Sequence, residues 1–459
     1  MLIVEGGHRL RGEVRVPGFK HALVTVVAAA VVGHAPVTVD NCPNIEDTRI
    51  LIKLLRALGA DAHLARGALH LDPTGLADGP LDPILAGRIH GSVYLLPGLL
   101  ARFGQVSMPS AGGCRIGDSA GGLRPVEQYA DVLRRFGARV LRGPDGSLTV
   151  RADSLVGCDL DLRRWTSDPT LRTGPLYSGA TKMAILTAAA ARGTTRLRCP
   201  YPKPDVTELV GMLCALGYAA RYASGGDLLI EGRQDGGHGR PVRHTLISDL
   251  ITVVTYATVA PLTGSPIRLT GLTLDRLGDG LAPEIAVARA MGLDARRDGA
   301  DSLVLSGEPP RAPVNITVAS HGVYSDSQPF LCLLATLAPG TSRIRETVWK
   351  QRFGHVPQLR RLGARIESSG AEARITGPHP PHRACNVTAG DLRAAAALLV
   401  AALAVPGEVR LDGAAHLVRG YEDLVGDLHR LGAHIRAVPD GQDADGWTVP
   451  EVPTRPPTC

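Results

Sequence analysis

The chain of 459 residues carries 50 lysines and arginines against 44 aspartates and glutamates, a net charge of +6. This small excess is spread along the chain without a basic run interleaved with aromatic residues, which disfavours a nucleic-acid-binding protein and suits small anionic partners. The longest apolar runs, 22–32 and 394–405, are shorter than the roughly 20 residues of a membrane span, so they predict buried helices and no membrane anchor. Eight cysteines without a CxxC pair, and no secretory leader, favour a cytoplasmic protein.

One local pattern recurs six times along the chain: a helix-like stretch, a bulky apolar residue, a glycine and then a short strand. The six glycines are Gly59, Gly137, Gly217, Gly292, Gly363 and Gly432. Glycine adopts the left-handed conformation that closes a helix, so each copy predicts a helix end. A unit of two helices and about four short strands cannot bury its own apolar face, and the units must pack together. The pattern predicts an α/β protein of six units in two domains of three.

The second repeated element is a helix of small and aliphatic residues that opens each unit. Its copies begin near His21, His90, Ser178, Asp249, Asp326 and Asp391. The three aspartates stand just before their helices, which predicts that they are N-caps. Helix N-termini also favour anions, so these helix starts are candidate ligand-binding positions.

A glycine-rich loop, 110–122, carries Cys114 beside Arg115. The glycines predict a loop that closes over a site, and the guanidinium would lower the pKa of an accessible thiol. The alternative is a free cysteine in a flexible loop. The loop lacks the GK[ST] ending of a P-loop, which disfavours a nucleoside triphosphatase.

Several separate motifs share one family resemblance. They are Gly18-Phe19-Lys20, Leu100-Ala101-Arg102-Phe103-Gly104, Gly112-Gly113-Cys114, Arg124-Pro125-Val126, Ser178-Gly179-Ala180-Thr181, Asp326-Ser327-Gln328, Arg352-Phe353, Asp391-Leu392-Arg393 and Arg419-Gly420-Tyr421. Over nearly all of residues 1–436 the chain resembles the enolpyruvyl transferases, in particular the UDP-N-acetylglucosamine 1-carboxyvinyltransferases. The resemblance implies a two-domain inside-out α/β barrel of six βαβαββ repeats. It implies one domain of 21–242 with the Cys114 loop and a second of 1–20 plus 243–445, and the proline-rich residues 446–459 are expected to form a flexible tail.

The resemblance also implies the chemistry. The enolpyruvyl group of phosphoenolpyruvate moves to an acceptor hydroxyl with release of phosphate, and neither a metal nor a redox cofactor is implied. The family residues that hold phosphoenolpyruvate correspond to Lys20, Arg124, Arg352 and Arg393. Asp326 corresponds to the acid that orients and deprotonates the acceptor hydroxyl, and Cys114 to the acid acting at the methylene carbon or in product release. The catalytic set is then Cys114, Lys20, Asp326 and Arg393.

Residues that correspond to acceptor contacts are His21, His90, Arg124, Pro125, Val126, Glu127, Ser178, Gly179, Asp326 and Val348. The chain departs from the family here. His21 replaces an asparagine, His90 and Glu46 replace basic residues, Glu127 replaces an aspartate, and the loop between Cys114 and Arg124 is longer. Because the catalytic cations persist, these departures favour the same reaction on a different acceptor.

We expect this acceptor to be a uridine nucleotide, namely the 3′-hydroxyl of UMP as in polyoxin- and nikkomycin-type nucleoside antibiotic pathways. UDP-N-acetylglucosamine in cell-wall synthesis stays open as an alternative, and so does a non-catalytic nucleotide-binding relative. A shikimate-phosphate enzyme is disfavoured, because that branch lacks the loop cysteine and the Arg124-Pro125-Val126 segment. The sequence predicts no oligomeric state.

Overall fold

The computed structural model describes residues 1–110, 112–113, 116–117, 124–233 and 240–438. Cys114, Arg115 and the C-terminal 446–459 lie outside these ranges, so the predictions made for them are not addressed by the structure. The described chain is a mixed α/β protein with six small sheets, five of four strands and one of three.

The described residues form helices along the whole chain. In order they are α1 (Lys20–Gly33), α2 (Glu46–Ala57), α3 (Pro83–Arg88), α4 (Leu96–Phe103), α5 (Glu127–Arg135), α6 (Tyr177–Ala190), α7 (Pro204–Ala215), α8 (Leu250–Leu262), α9 (Leu274–Gly280), α10 (Ala282–Ala290), α11 (Gln328–Ala335), α12 (Val356–Arg361), α13 (Leu392–Leu403) and α14 (Leu424–Arg430). Within the described ranges, every helix is too short or too polar to traverse a lipid bilayer.

The strands are short and lie between the helices. In order they are β1 (Leu2–Gly6), β2 (Gly12–Arg15), β3 (Val37–Asp40), β4 (Asp61–Ala65), β5 (Ala68–Asp72), β6 (Gln105–Met108), β7 (Arg139–Arg142), β8 (Leu148–Arg151), β9 (Asp159–Asp161), β10 (Gly193–Arg198), β11 (Ala219–Tyr222), β12 (Leu228–Gly232), β13 (Val242–Thr245), β14 (Ile267–Thr270), β15 (Ala295–Arg297), β16 (Leu303–Leu305), β17 (Asn315–Val318), β18 (Gly340–Glu346), β19 (Ile366–Ser369), β20 (Glu372–Gly377), β21 (Asn386–Thr388), β22 (Gly407–Asp412) and β23 (His434–Ala437).

Strand order joins distant parts of the chain. The sheets are β13-β3-β5-β4, β6-β8-β7, β11-β12-β10-β9, β15-β16-β14-β2, β17-β18-β20-β19 and β21-β22-β1-β23. The N-terminal strand β1 pairs antiparallel with β22 and β23, and β2 pairs parallel with β14. Conversely, the later strand β13 joins an early sheet, where it pairs parallel with β3. Two segments of chain therefore cross between the early and the late sheets.

All six repeated glycines have the conformation that the sequence predicts. Their φ values are +97° at Gly59, +95° at Gly137, +97° at Gly217, +78° at Gly292, +103° at Gly363 and +101° at Gly432. Each follows a helix and precedes a strand, as between α2 and β4 or between α14 and β23. Residues with a Cβ adopt this backbone region only at a cost, so glycine suits all six positions. The prediction of six helix ends is confirmed.

The helices rich in small and aliphatic residues form the interior. Helices α1, α6, α8, α11 and α13 are apolar on nearly every side, as expected for helices with no solvent-facing stripe. Helix α1 packs against α4 and α6, whereas α8 packs against α11 and α13. Gly98 permits close packing of α4 on α1, since a Cβ there would lie 2.8 Å from Val31 Cγ1. Two helix clusters result, one around α1 and α6, on which α4 and α7 pack, and one of α8, α11 and α13.

Candidate active site

The site is a cleft formed by two adjoining pockets. The cation-rich pocket is lined by Lys20, His21, Val24, Asp47, His90, Gly91, Tyr94, Gly113, Arg124, Lys182, Asp326, Arg352, Asp391, Leu392, Arg393 and Arg419. The second pocket shares His21, His90, Tyr94, Arg124, Lys182 and Asp326 with it and adds Ile116, Pro125, Gln128, Tyr129, Gly174, Pro175, Ser178, Gly179, Tyr201, Asp205, Ala319, Ser320, Tyr324, Ser325, Val348 and Trp349. Six lysines and arginines against three aspartates line the first pocket, which favours an anionic ligand.

Lys20, the first residue of α1, is held by a late segment of the chain and by α2. Its Nζ lies 2.7 Å from Asp47 Oδ2 and donates to the carbonyl of Arg419 at 2.8 Å. The Arg419 Nε lies 3.3 Å from Asp47 Oδ1, so one buried carboxylate positions two cations. These charge-assisted hydrogen bonds hold the ammonium at the wall of the cation-rich pocket.

Asp326 is bound by two buried arginines. Arg352 Nη2 donates to its Oδ1 at 2.7 Å, and Arg393 Nε donates to its Oδ2 at 3.0 Å. Burial would raise the pKa of Asp326, but Arg393 and Arg352 outweigh it and hold that pKa well below its ordinary value. Asp326 is thus an ionised acceptor at neutral pH.

Two of the three predicted N-caps, Asp249 and Asp391, are present in the structure. Asp249 accepts from the amides of Ile251 and Thr252, and Asp391 caps α13 in the same way. For Asp326 the prediction is wrong: α11 begins at Gln328 after Ser327, which makes no side-chain cap bond. The physical reason is that the carboxylate of Asp326 binds the two guanidinium groups instead of the helix amides.

Two imidazoles face the cleft where both pockets meet. Burial lowers the pKa of His21 to about 4, although Asp326, whose Oδ2 lies 3.7 Å from Nε2, opposes the shift. Burial, and then Arg124 and Lys182, hold the pKa of His90 well below its ordinary value. His90 Nε2 lies 2.8 Å from Tyr129 Oη. Both rings are neutral at physiological pH, so they offer hydrogen bonds without charge.

Arg124 links the two pockets, with its guanidinium 5.9 Å from the ring centre of Trp349. Pro125 lines the second pocket, but the next two predicted contacts do not line either pocket. Val126 donates its amide to Glu127 Oε2 at 2.9 Å, and Glu127 also pairs with Arg142 on the outside.

The remaining predicted contacts line the second pocket. Ser178 and Gly179 stand in the first turn of α6, and Val348 comes from the later half of the chain. Gly179 is tightly enclosed, since a Cβ there would lie 2.7 Å from Tyr129 Oη. The Val348 amide donates to the buried Glu346 at 2.8 Å.

Sequence reasoning missed several residues of this cleft. Asp47 and Arg419 anchor Lys20; Arg419 belongs to a family motif, but no site role was predicted for it. Lys182 lies 2.5 Å from Asp205 and lines both pockets. Lys182 stands four residues after Ser178 in α6, so helical spacing was a usable signal for it. In the described part of the cleft, no three carboxylate, imidazole or thiol ligands converge closely enough to bind a metal.

The chain matches the EPSP synthase family, described as 3-phosphoshikimate 1-carboxyvinyltransferase, over residues 4–428. It is similar to a UDP-N-acetylglucosamine 1-carboxyvinyltransferase of Halorhodospira halophila, with 34% identity over 96% of this chain and 99% of that protein. Among solved structures it is similar to the enolpyruvyl transferase NikO from Streptomyces tendae, with 44% identity, a TM-score of 0.89 and coverage of 95% and 98%. An EPSP synthase from Acinetobacter baumannii shares the fold, with 17% identity, a TM-score of 0.71 and coverage of 95% and 99%.

Proposed function

We propose the 3′-hydroxyl of UMP as the acceptor for this chain, which belongs to the EPSP synthase family and transfers the enolpyruvyl group of phosphoenolpyruvate. The observation that carries the proposal is that two imidazoles, His21 and His90, line both pockets of an otherwise cationic cleft, where burial lowers the pKa of each ring. Uncharged rings in the pockets that Asp326 also lines suit a ribose and a base. The higher identity to the Streptomyces enolpyruvyl transferase, 44% against 34% for the Halorhodospira carboxyvinyltransferase, supports an acceptor outside cell-wall synthesis.

We further propose the two-domain inside-out barrel of six βαβαββ units. The two clusters of buried helices support it, and so does the pairing of β1 and β2 with the late sheets. Because β13 pairs with β3, the first domain would extend to Thr245 rather than end at residue 242. The cleft would then lie between the domains, where closure excludes water from a reactive intermediate.

In this proposal the cation-rich pocket binds phosphoenolpyruvate. Lys20, Arg124, Arg352 and Arg393 all line it. Arginine forks match both the phosphate and the carboxylate of this substrate. Arg419 would join them, because it lines the same pocket.

The reaction needs a base at the acceptor hydroxyl and an acid at the methylene carbon. The acceptor oxygen bonds to C2 of phosphoenolpyruvate while its proton passes to Asp326 and the acid gives a proton to C3. The C2–O bond to phosphate then breaks while a C3 proton returns to the deprotonated acid, and the double bond is restored. Without substrate, Arg352 and Arg393 hold Asp326 in its ionised form. Once the anionic substrate shares these arginines, Asp326 becomes more basic. We assign the acid role to Cys114, on the family resemblance alone.

The second pocket would then hold the nucleotide. Ser178 at the start of α6 presents a hydroxyl beside the helix amides, which suits a phosphate. Trp349 and Pro125 offer flat apolar surfaces, and Arg124 bridges this pocket to the phosphoenolpyruvate pocket. A nucleotide bound here would place a ribose hydroxyl near Asp326, which lines both pockets.

Phosphate release from phosphoenolpyruvate tests the acceptor. UMP, UDP and UDP-N-acetylglucosamine are offered separately at matched concentration, with Asp326→Asn as the control for contaminating phosphatase. The proposal predicts turnover with UMP at least tenfold above either alternative. Turnover with UDP-N-acetylglucosamine alone would make the chain a divergent cell-wall enzyme.

A further inference from the structure

A group of metal-ligating side chains lies on the sheet β21-β22-β1-β23, outside the cleft. Glu5 in β1 and His434 in β23 are direct partners in the antiparallel register, and both are exposed. Register partners project from the same face of a sheet, so the carboxylate and the imidazole meet. The His434 Nδ1 lies 3.8 Å from Glu5 Oε2, which is beyond hydrogen-bond distance.

His8 completes the group. Gly7, with φ of +86°, turns the chain at the end of β1. The ring of His8 then lies over that of His434, with 4.2 Å between ring centres and 34° between planes. His8 is half-buried, and its Nε2 is buried without a hydrogen-bond partner among the described residues. We call Glu5, His8 and His434 the Glu5 cluster.

The donor atoms of the Glu5 cluster converge. One ring nitrogen from each histidine and one carboxylate oxygen of Glu5 all lie within 4.8 Å of one another. Two ligands of a tetrahedral ion are about 3.3 Å apart when each bond is about 2.0–2.1 Å, so small rotations of exposed side chains would complete a site. Nearby arginines are engaged elsewhere: Arg410 and Arg436 bind Glu408, the partner of Glu5 in β22, at 3.1 and 3.0 Å.

We propose that the Glu5 cluster binds one divalent transition-metal ion of the Zn²⁺ or Ni²⁺ type, with water completing the coordination. Two imidazoles and one carboxylate favour such ions over Mg²⁺ or Ca²⁺, which take oxygen ligands. The bound ion would clamp residues 5–8 to the last described strand and so stabilise the native state by linkage. This role is separate from enolpyruvyl transfer, because no member of the Glu5 cluster lines the cleft.

Calorimetric titration of the metal-free full chain with Zn²⁺ alone tests the proposal. Cysteines also bind Zn²⁺, so the readout is the difference between the wild type and the variants Glu5→Gln and His434→Asn. We expect each variant to bind one Zn²⁺ ion fewer per chain than the wild type, or to bind that ion with a dissociation constant at least about tenfold higher. The wild type should also gain a Zn²⁺-dependent rise in its melting temperature that both variants lack.

A second histidine pair provides the matched control. On the β4–β5 hairpin, His63 stacks on His70 with 5.1 Å between ring centres, and its Nδ1 lies 3.5 Å from Asp61 Oδ1. These three side chains do not converge as the Glu5 cluster does. His63→Asn should therefore bind Zn²⁺ as the wild type does. Equal binding by the wild type, Glu5→Gln and His434→Asn, or an equal loss in His63→Asn, would overturn the proposal.

Discussion

At the scale of single residues, the pairing of Asp326 with two arginines has a kinetic consequence. Asp326→Asn removes the base and the negative charge that Arg352 and Arg393 contact, and it keeps both arginines as ligands for phosphoenolpyruvate. We expect kcat to fall about 10²–10⁴-fold, the usual contribution of a general base, while phosphoenolpyruvate binds at least as tightly. Steady-state kinetics and equilibrium binding separate the two effects. A kcat within threefold of the wild type would refute the base assignment.

Glu346 is a buried carboxylate beside the second pocket, and it should make stability depend on pH. It accepts from Ser325 Oγ at 2.8 Å and from the Val348 and Trp349 amides at 2.8 and 3.2 Å. Burial raises its pKa to about 7, against an ordinary 4.5, while these bonds and Arg352 oppose the shift. The folded state therefore binds a proton more tightly than the unfolded state does.

The sign follows from linkage. The stability contributed by protonated Glu346 is complete below the unfolded pKa and is lost as the pH rises through the folded pKa. The free energy of unfolding of the wild type should fall by about 3 kcal/mol relative to Glu346→Gln between roughly pH 4.5 and 7.5. Urea unfolding of both proteins at several pH values measures this difference. A difference that stays constant with pH would contradict the assignment.

At the scale of elements, the first turn of α6 sets the shape of the second pocket. A methyl group at Gly179 would meet Tyr129 Oη at 2.7 Å and displace the phenol that contacts His90. Gly179→Ala should weaken UMP binding about tenfold, which corresponds to about 1.4 kcal/mol. Gly211→Ala in α7 is the matched control, because nothing lies within 4 Å of its Cβ. Equal UMP affinity of both variants in calorimetry would show that Gly179 is not a pocket residue.

The elements show how far local sequence information reaches. The helix ends at the six glycines were predictable, because a left-handed residue after an apolar helix is a local property. The caps at Asp249 and Asp391 were predictable for the same reason. Asp326 was expected to be the third cap, but α11 begins two residues after it, and its carboxylate binds Arg352 and Arg393, which come from distant segments. A local rule fails where a long-range ion pair competes for the same side chain.

At the scale of the whole molecule, the sequence predicted six units but not their strand partners. The pairing of β13 with β3, and of β1 with β22 and β23, joins residues far apart in the chain, which periodicity does not encode. The cleft shows the same division. Family motifs located Lys20 and Arg393, whereas Asp47 acts through a contact with Lys20 that only the folded chain brings together.

The central claim is that one cleft joins phosphoenolpyruvate to the ribose of a uridine nucleotide. Its most direct test is the NMR structure of the product formed by the enzyme from phosphoenolpyruvate and UMP. The account predicts an enol ether whose quaternary enol carbon shows a three-bond correlation to the ribose H3′. A product linked through another oxygen, or the absence of any product with UMP while UDP-N-acetylglucosamine is converted, would contradict the account.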